Sequence, residues 1–184
     1  MNAFHSLFDS RIIYITGPVN AEMSASVIPQ LLLLESEDAE RDITLCISSE
    51  GGSVTDGLAI IDVMNHVSCD VCTVGIGMVC SMAAAIFSSG TRGKRYSLPH
   101  TEFLIHQLMS GIPQMTQAED MRIAMNHVMN TKQSLNRLLA ENTGKTIRQI
   151  EKDTDRDCWM SAEEAVSYGL ADRILCGKAR HELP

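Results

Sequence analysis

ITLCISSEGGSVTDGLAIIDVMNHVSCDVCTVGIGMVCSMAAAIFSS, residues 43–89, is the stretch on which the fold turns. Its opening, Ile43–Ser48, is apolar and rich in β-branched residues, the composition of a buried strand. Gly51-Gly52 then interrupts the chain. Ser53, three residues ahead of Asp56, can cap a helix predicted over Val54–Val67. Val71–Ile76 gives another short apolar strand. Gly77 turns the chain, and the small residues from Ser81 to Ser89 predict a second helix. Strands that are apolar on both faces and separated by helices belong to a parallel sheet with helical cover.

The same rhythm extends on both sides. Arg11–Ile15 (RIIYI) predicts a strand that stops at Gly17-Pro18, and Asn20 can cap a helix reaching about Glu37. Val27, Ile28, Leu31, Leu32 and Leu34 form its apolar stripe, and Pro29 should kink it or mark its true start. Further strands are predicted near Lys94–Ser97 and Glu102–Ile105. Thr116 and Glu119 then read as a capping box for a helix from Gln117 to about Asn142, ending before Gly144 and spanning roughly seven turns. Met121, Ala124, Met125, Val128, Met129, Leu135, Leu138 and Leu139 line one side of it. That stripe exceeds what a small domain covers, so part of it is expected to meet a partner chain rather than the core. Thr146 with Gln149 and Ser161 with Glu164 predict two more capped helices. The expected architecture is α/β, one domain over residues 1–184, with a mostly parallel sheet covered by helices and one protruding long helix.

Composition removes several function classes. The formal charge of −8, from 15 Lys and Arg against 23 Asp and Glu, lacks the clustered cations that nucleic acid requires. No basic region followed by an apolar run and a small-residue cleavage site opens the chain, which argues against secretion and makes the cytoplasm the expected compartment. Apolar runs such as Leu31–Leu34 are too short to cross a bilayer. Most of Cys46, Cys69, Cys72, Cys80, Cys158 and Cys176 lie in apolar or strand-like runs and are expected as buried free thiols. Cys69 and Cys72 form a lone CxxC without a second ligand pair, so no metal is expected, and no cofactor motif occurs.

Four places carry candidate chemistry. Ser81 follows a strand and turn and opens a helix, where its hydroxyl is either an exposed nucleophile or a plain helix cap. Backbone N–H groups at that helix start are free to bind developing negative charge. Gly51-Gly52 allows close approach of another molecule, or simply a tight turn. His106 ends an apolar strand and enters a loop, either as a site residue or as a satisfied core histidine. Asp153, Asp155 and Asp157 crowd around Arg156, the pattern of a solvated charge cluster. A hydroxyl, an imidazole, a carboxylate and glycines near the hydroxyl form the set that acyl transfer needs.

These residues sit in recognisable strings. SSEGGSVTDGLAIID (48–62) resembles NSPGGSVTAGLAIYD of the Clp protease proteolytic subunit (ClpP) family. GMVCSMAAA (77–85) resembles the family's nucleophile segment GMAASMGA, and FLIHQLMSG (103–111) resembles its histidine segment. NRLLAENTGKTIRQIEKDTDRDCWMSAEEAVSYGLAD (136–172) resembles the family's C-terminal block, so the likeness runs from about Arg11 to Leu175. It implies a serine endopeptidase with a crotonase-like, ClpP-type fold, Ser81 as nucleophile, His106 as base and Asp157 as the orienting carboxylate. It implies Gly52 and Met82 as oxyanion N–H donors, and peptide bound along Gly51, Ser53, Val54 and the segment containing Gly111. It further implies stacked seven-membered rings that enclose unfolded protein or peptide, with the long helix as the handle of a region at about 107–142. Asp155 and Arg156 would tie ring contacts to the active arrangement. Three departures stand out: Glu50 and Leu108 occupy positions where relatives carry proline, and the loop after His106 is two residues longer. The short stretch before Arg11 weighs against docking of a Clp-type AAA+ ATPase. Together these suggest a divergent paralogue working beside a second ClpP subunit, either as an active peptidase or as a structural ring subunit.

Overall fold

The computed structural model describes residues 3–109 and 117–176. The chain opens with α1 (Ala3–Asp9), β1 (Ile12–Thr16), α2 (Ala21–Glu37) and β2 (Ile43–Ser49). It continues through α3 (Val54–His66), β3 (Val71–Cys80), α4 (Met82–Ser88), β4 (Arg95–Ser97) and β5 (Glu102–Ile105). α5 (Ala118–Thr143), α6 (Ile147–Asp153), β6 (Cys158–Met160), α7 (Ala162–Tyr168) and β7 (Arg173–Ile174) complete it. Strands β1-β2-β3-β4-β7 pair in that order, all parallel. β5 pairs parallel with the upper end of β3, and β6 runs antiparallel to β5. The expected class, a mostly parallel sheet covered by helices, is what the chain forms.

β3 holds the molecule together because it runs through to Cys80 instead of stopping at Ile76. Gly77 adopts φ +67°, which lets the strand bend without a side-chain penalty. Below the bend Thr73–Gly75 pairs with β4, and above it Met78–Cys80 pairs with β5. The register with β2 shifts at the same place. Its lower half is buried on both faces, and Ile13, Ile15, Leu45, Ile47, Ile60, Ile61, Ile86, Phe87 and Phe103 form the core around the sheet.

Several expectations change. α2 runs unbroken through Pro29, which sits on the exposed face of the helix. Leu32 is not part of the buried stripe; it is 43% exposed. The helix α1 adds an element ahead of the first expected strand, and Phe8 packs its end against the core. α5 begins at Ala118, after Gln117, without a side-chain cap. Glu119 pairs with Arg122 instead of closing the proposed box, whose other member, Thr116, lies outside the described residues. Thr146 accepts from the Gln149 N–H, but the Gln149 side chain turns to Asp153, so only half of that box forms. Ser161 and Glu164 form theirs in full.

Candidate active site

Ser81 stands between β3 and α4 with φ +57° and ψ −122°, a backbone setting that non-glycine residues rarely accept. Its side chain makes no cap hydrogen bond, so the plain capping alternative does not hold. The Ser81 N–H donates to the Leu104 carbonyl at 2.8 Å, continuing the β3–β5 ladder in which Cys80 faces Leu104. His106 follows directly after β5. In the antiparallel β5–β6 pair Ile105 faces Cys158, so the next residues outward are His106 and Asp157. Two strand registers thus bring three segments, distant in sequence, to one end of the sheet.

The glycine pair closes the fourth side. Gly51 has φ +93°, and a Cβ built there would lie 2.6 Å from the Cys80 carbonyl oxygen, 2.7 Å from Ser81 Cβ and 2.9 Å from Met82 N. Only hydrogen fits. The Gly51 carbonyl accepts from the Val19 N–H at 2.8 Å, and the Ser53 N–H donates to the Val19 carbonyl at 2.7 Å. The Ser53 hydroxyl caps Asp56. The Gly51 carbonyl and the Ser53 N–H are therefore committed to Val19, and the Gly51 N–H donates to the Ser49 hydroxyl at 3.1 Å. No such partner is recorded among the described residues for the N–H of Gly52, Val54 or Met82. Gly111 lies outside the described residues.

Ser81, His106, Gly51, Gly52 and Met82 all line one cleft of about 390 Å³. Its walls are apolar, supplied by Val54, Ile105, Leu108, Leu135 and Leu139, and Leu108 stands at the rim beside His106. Asp157 is exposed and outside the cleft lining. The His106 Nδ1–H donates to the Gln107 carbonyl at 2.7 Å, and no hydrogen bond joins it to Ser81 or Asp157 among the described residues. The geometry therefore gathers serine and imidazole in one cleft and leaves the carboxylate adjacent in register but unengaged.

Three residues of this site carried no role in the sequence reading. Gln107 donates through Nε2 to the Asp155 carbonyl at 3.0 Å and accepts through Oε1 from Lys132 at 3.3 Å. That bridge ties α5 to the loop before β6. Asn136, 4% exposed, lines the cleft one turn beyond Lys132. The signal for both was a polar pair, spaced i and i+4, that interrupts the apolar stripe of α5. Asp155 and Arg156 are exposed, and among the described residues the Arg156 guanidinium reaches only the neighbouring Asp155 carbonyl. The thiols nearby are poorly ionised: burial, then the carboxylates of Glu102 and Glu50, push Cys80 up to about 11. Among the described residues no group of three or more His, Cys, Asp or Glu could hold a metal ion, and no helix is long and apolar enough to cross a membrane.

A mostly parallel α/β sheet with an apolar cleft at its strand ends, furnished with a hydroxyl, an imidazole and unpaired amides, defines a class of hydrolytic enzymes. The chain belongs to the Clp protease family, whose model matches residues 1–178, and so to a family of peptidases. It is 50% identical over 172 residues to the ATP-dependent Clp protease proteolytic subunit of Streptococcus pyogenes serotype M5 (strain Manfredo), covering 94% of this chain and 88% of that protein. The proteins of the same description from serotype M49 (strain NZ131) and serotype M1 match to the same extent.

Proposed function

We propose that the chain is a serine-type endopeptidase subunit acting on peptides and unfolded proteins. In this reading Ser81 Oγ attacks the scissile carbonyl while His106 Nε2 takes its proton. The tetrahedral oxyanion accepts from the N–H groups of Gly52 and Met82. His106 then passes the proton to the leaving amine, and water hydrolyses the Ser81 ester by the same route in reverse. Asp157 holds the Nδ1–H and so fixes the tautomer that leaves Nε2 free to accept. The observation that carries the reading is the meeting of Ser81 and His106 in one apolar cleft beside two unpartnered amides. An extended peptide would add along Gly52 and Val54, because the Gly51 carbonyl and the Ser53 N–H already serve Val19.

The bond from His106 to its neighbour's carbonyl must break for this chemistry, and catalytic bonds often tighten only in the working complex. We assign that step to assembly into stacked rings in the cytoplasm. α5 would act as the ring-to-ring handle, Asp155 and Arg156 as the sensing loop, and a Clp-type AAA+ ATPase as the feeder. The same bond favours a second reading, a structural ring subunit whose site stays open beside a second subunit type. A serine-directed fluorophosphonate decides between them. The assembled chain is expected to label at Ser81, and His106→Ala to slow labelling by about a hundredfold or more. Labelling no faster than that of Ser81→Ala would leave only the structural role.

A further inference from the structure

The cleft carries two charged side chains, and they are treated differently by the fold. Lys132 is tethered from α5 to the Gln107 amide oxygen, inside the bridge that reaches Asp155. Glu50 is exposed and lines the cleft directly before Gly51, yet it forms no ion pair or side-chain hydrogen bond among the described residues. Its carboxylate acts at the end of β3: together with that of Glu102 it is one of the charges that hold the Cys80 thiol un-ionised, behind burial. Apart from Glu50, Lys132 and His106 the lining carries no ionisable side chain, and the Lys132 ammonium is held on the neutral Gln107 amide oxygen. A carboxylate left bare beside a low-dielectric wall attracts a cation more strongly than one in open water, and repels an anion as strongly.

We infer that Glu50 is a specificity-determining residue that makes this cleft select peptides with a lysine or arginine close to the scissile bond and reject those with glutamate or aspartate there. The inference rests on the peptidase reading above and gives it a substrate class. A basic side chain suits the site in a second way. Its methylene stem lies against apolar walls such as Val54 and Leu135, while its charged end remains at the wet lip with Glu50.

Two measurements on the full, assembled chain test this separately from the catalytic assignment. Binding of matched fluorescent peptides, with lysine, norleucine or glutamate scanned through the positions flanking one bond, is measured on Ser81→Ala. Hydrolysis of the same peptides is measured on the unmutated chain. Lysine is expected to bind about fivefold to tenfold tighter than glutamate at one position, the size of a partly desolvated charge contact. The ratio should shrink in high salt, fall towards one in Glu50→Gln and invert in Glu50→Lys. In hydrolysis the preference should appear in KM more than in kcat. Equal binding of the lysine and glutamate peptides at every position, or a ratio unmoved by Glu50→Gln, overturns the inference whatever the activity. A Glu50-dependent preference in binding without Ser81-dependent hydrolysis overturns the peptidase assignment, and with it the placement beside a scissile bond, while leaving Glu50 as the residue that selects basic peptides.

Discussion

At Gly51 the requirements of backbone and of chemistry coincide. Its φ of +93° already disfavours any side chain, and the atoms a Cβ would meet are the peptide before Ser81, the Ser81 Cβ and the N–H of Met82. Backbone cannot swing aside as a flexible side chain can. Gly51→Ala is therefore expected to lower stability by about 1–3 kcal/mol. It should also slow Ser81 labelling by far more than that loss would, since Ser81 and the Met82 amide must both shift. Urea unfolding and probe labelling on the same preparation check this, and unchanged labelling would show that the close packing is not needed for the chemistry. Ser81 itself holds a positive φ of 57°, a cost that a merely capping serine has no reason to bear.

Among the elements, α5 is the one whose surface is least accounted for. Of its 26 residues only Asn136, Leu139 and Ala140 are buried, all near its C-terminal end. Met121, Met125 and Met129, four residues apart along one side, are 42–48% exposed in the preceding half. An apolar side of that extent on a projecting helix is a surface awaiting a partner. Met125→Glu together with Met129→Glu is expected to shift the protein towards smaller species in sedimentation velocity, while far-ultraviolet circular dichroism stays unchanged. Unaltered assembly would mean that the exposed side has no part in association. The Lys132–Gln107–Asp155 bridge begins on the same helix and ends at the loop before β6, which gives any contact made by α5 a physical route to the segment holding Asp157.

Over the whole molecule, the cleft is confined to the ends of the strands, and stability is secured elsewhere. The guanidinium of Arg11, 5% exposed, donates to the carbonyls of Leu34, Asp38, Arg41 and Asp42 and so pins the α2–β2 turn. Asp172 joins β4 to β7 by accepting from the Arg95 guanidinium and from the N–H groups of Gly93 and Arg95. Burial pushes the Asp172 carboxyl upward, but those donors and the nearby guanidinium charge outweigh it, and the net displacement is downward. A carboxylate held lower in the folded state stabilises the protein above its unfolded value, about 3.9, and loses that contribution as the pH falls through the folded value. Asp172→Asn should thus be less stable than the unmutated chain at pH 7, with the gap closing below about pH 4. A difference in urea midpoint that does not vary with pH would exclude this account.

The sequence by itself determined the class of fold, the order of its long elements and the segments that hold the site. Those properties are local: apolar runs, glycine breaks and caps act over a few residues. It also placed Gly51 and Gly52 ahead of α3 and Ser81 ahead of α4, since each stands at a break between two readable elements. Pairing was another matter. β6 and β7 are three and two residues long, too short for any periodicity, and residues 153–157 read as an ordinary solvated cluster. The antiparallel register of β6 on β5 alone sets Asp157 beside His106. The bridge through Gln107 and the engagement of Gly51 and Ser53 by Val19 likewise join parts of the chain at least 20 residues apart. Such contacts exist only once the sheet has closed, because hydrogen-bond partners are selected by the final register and not by the composition of either segment.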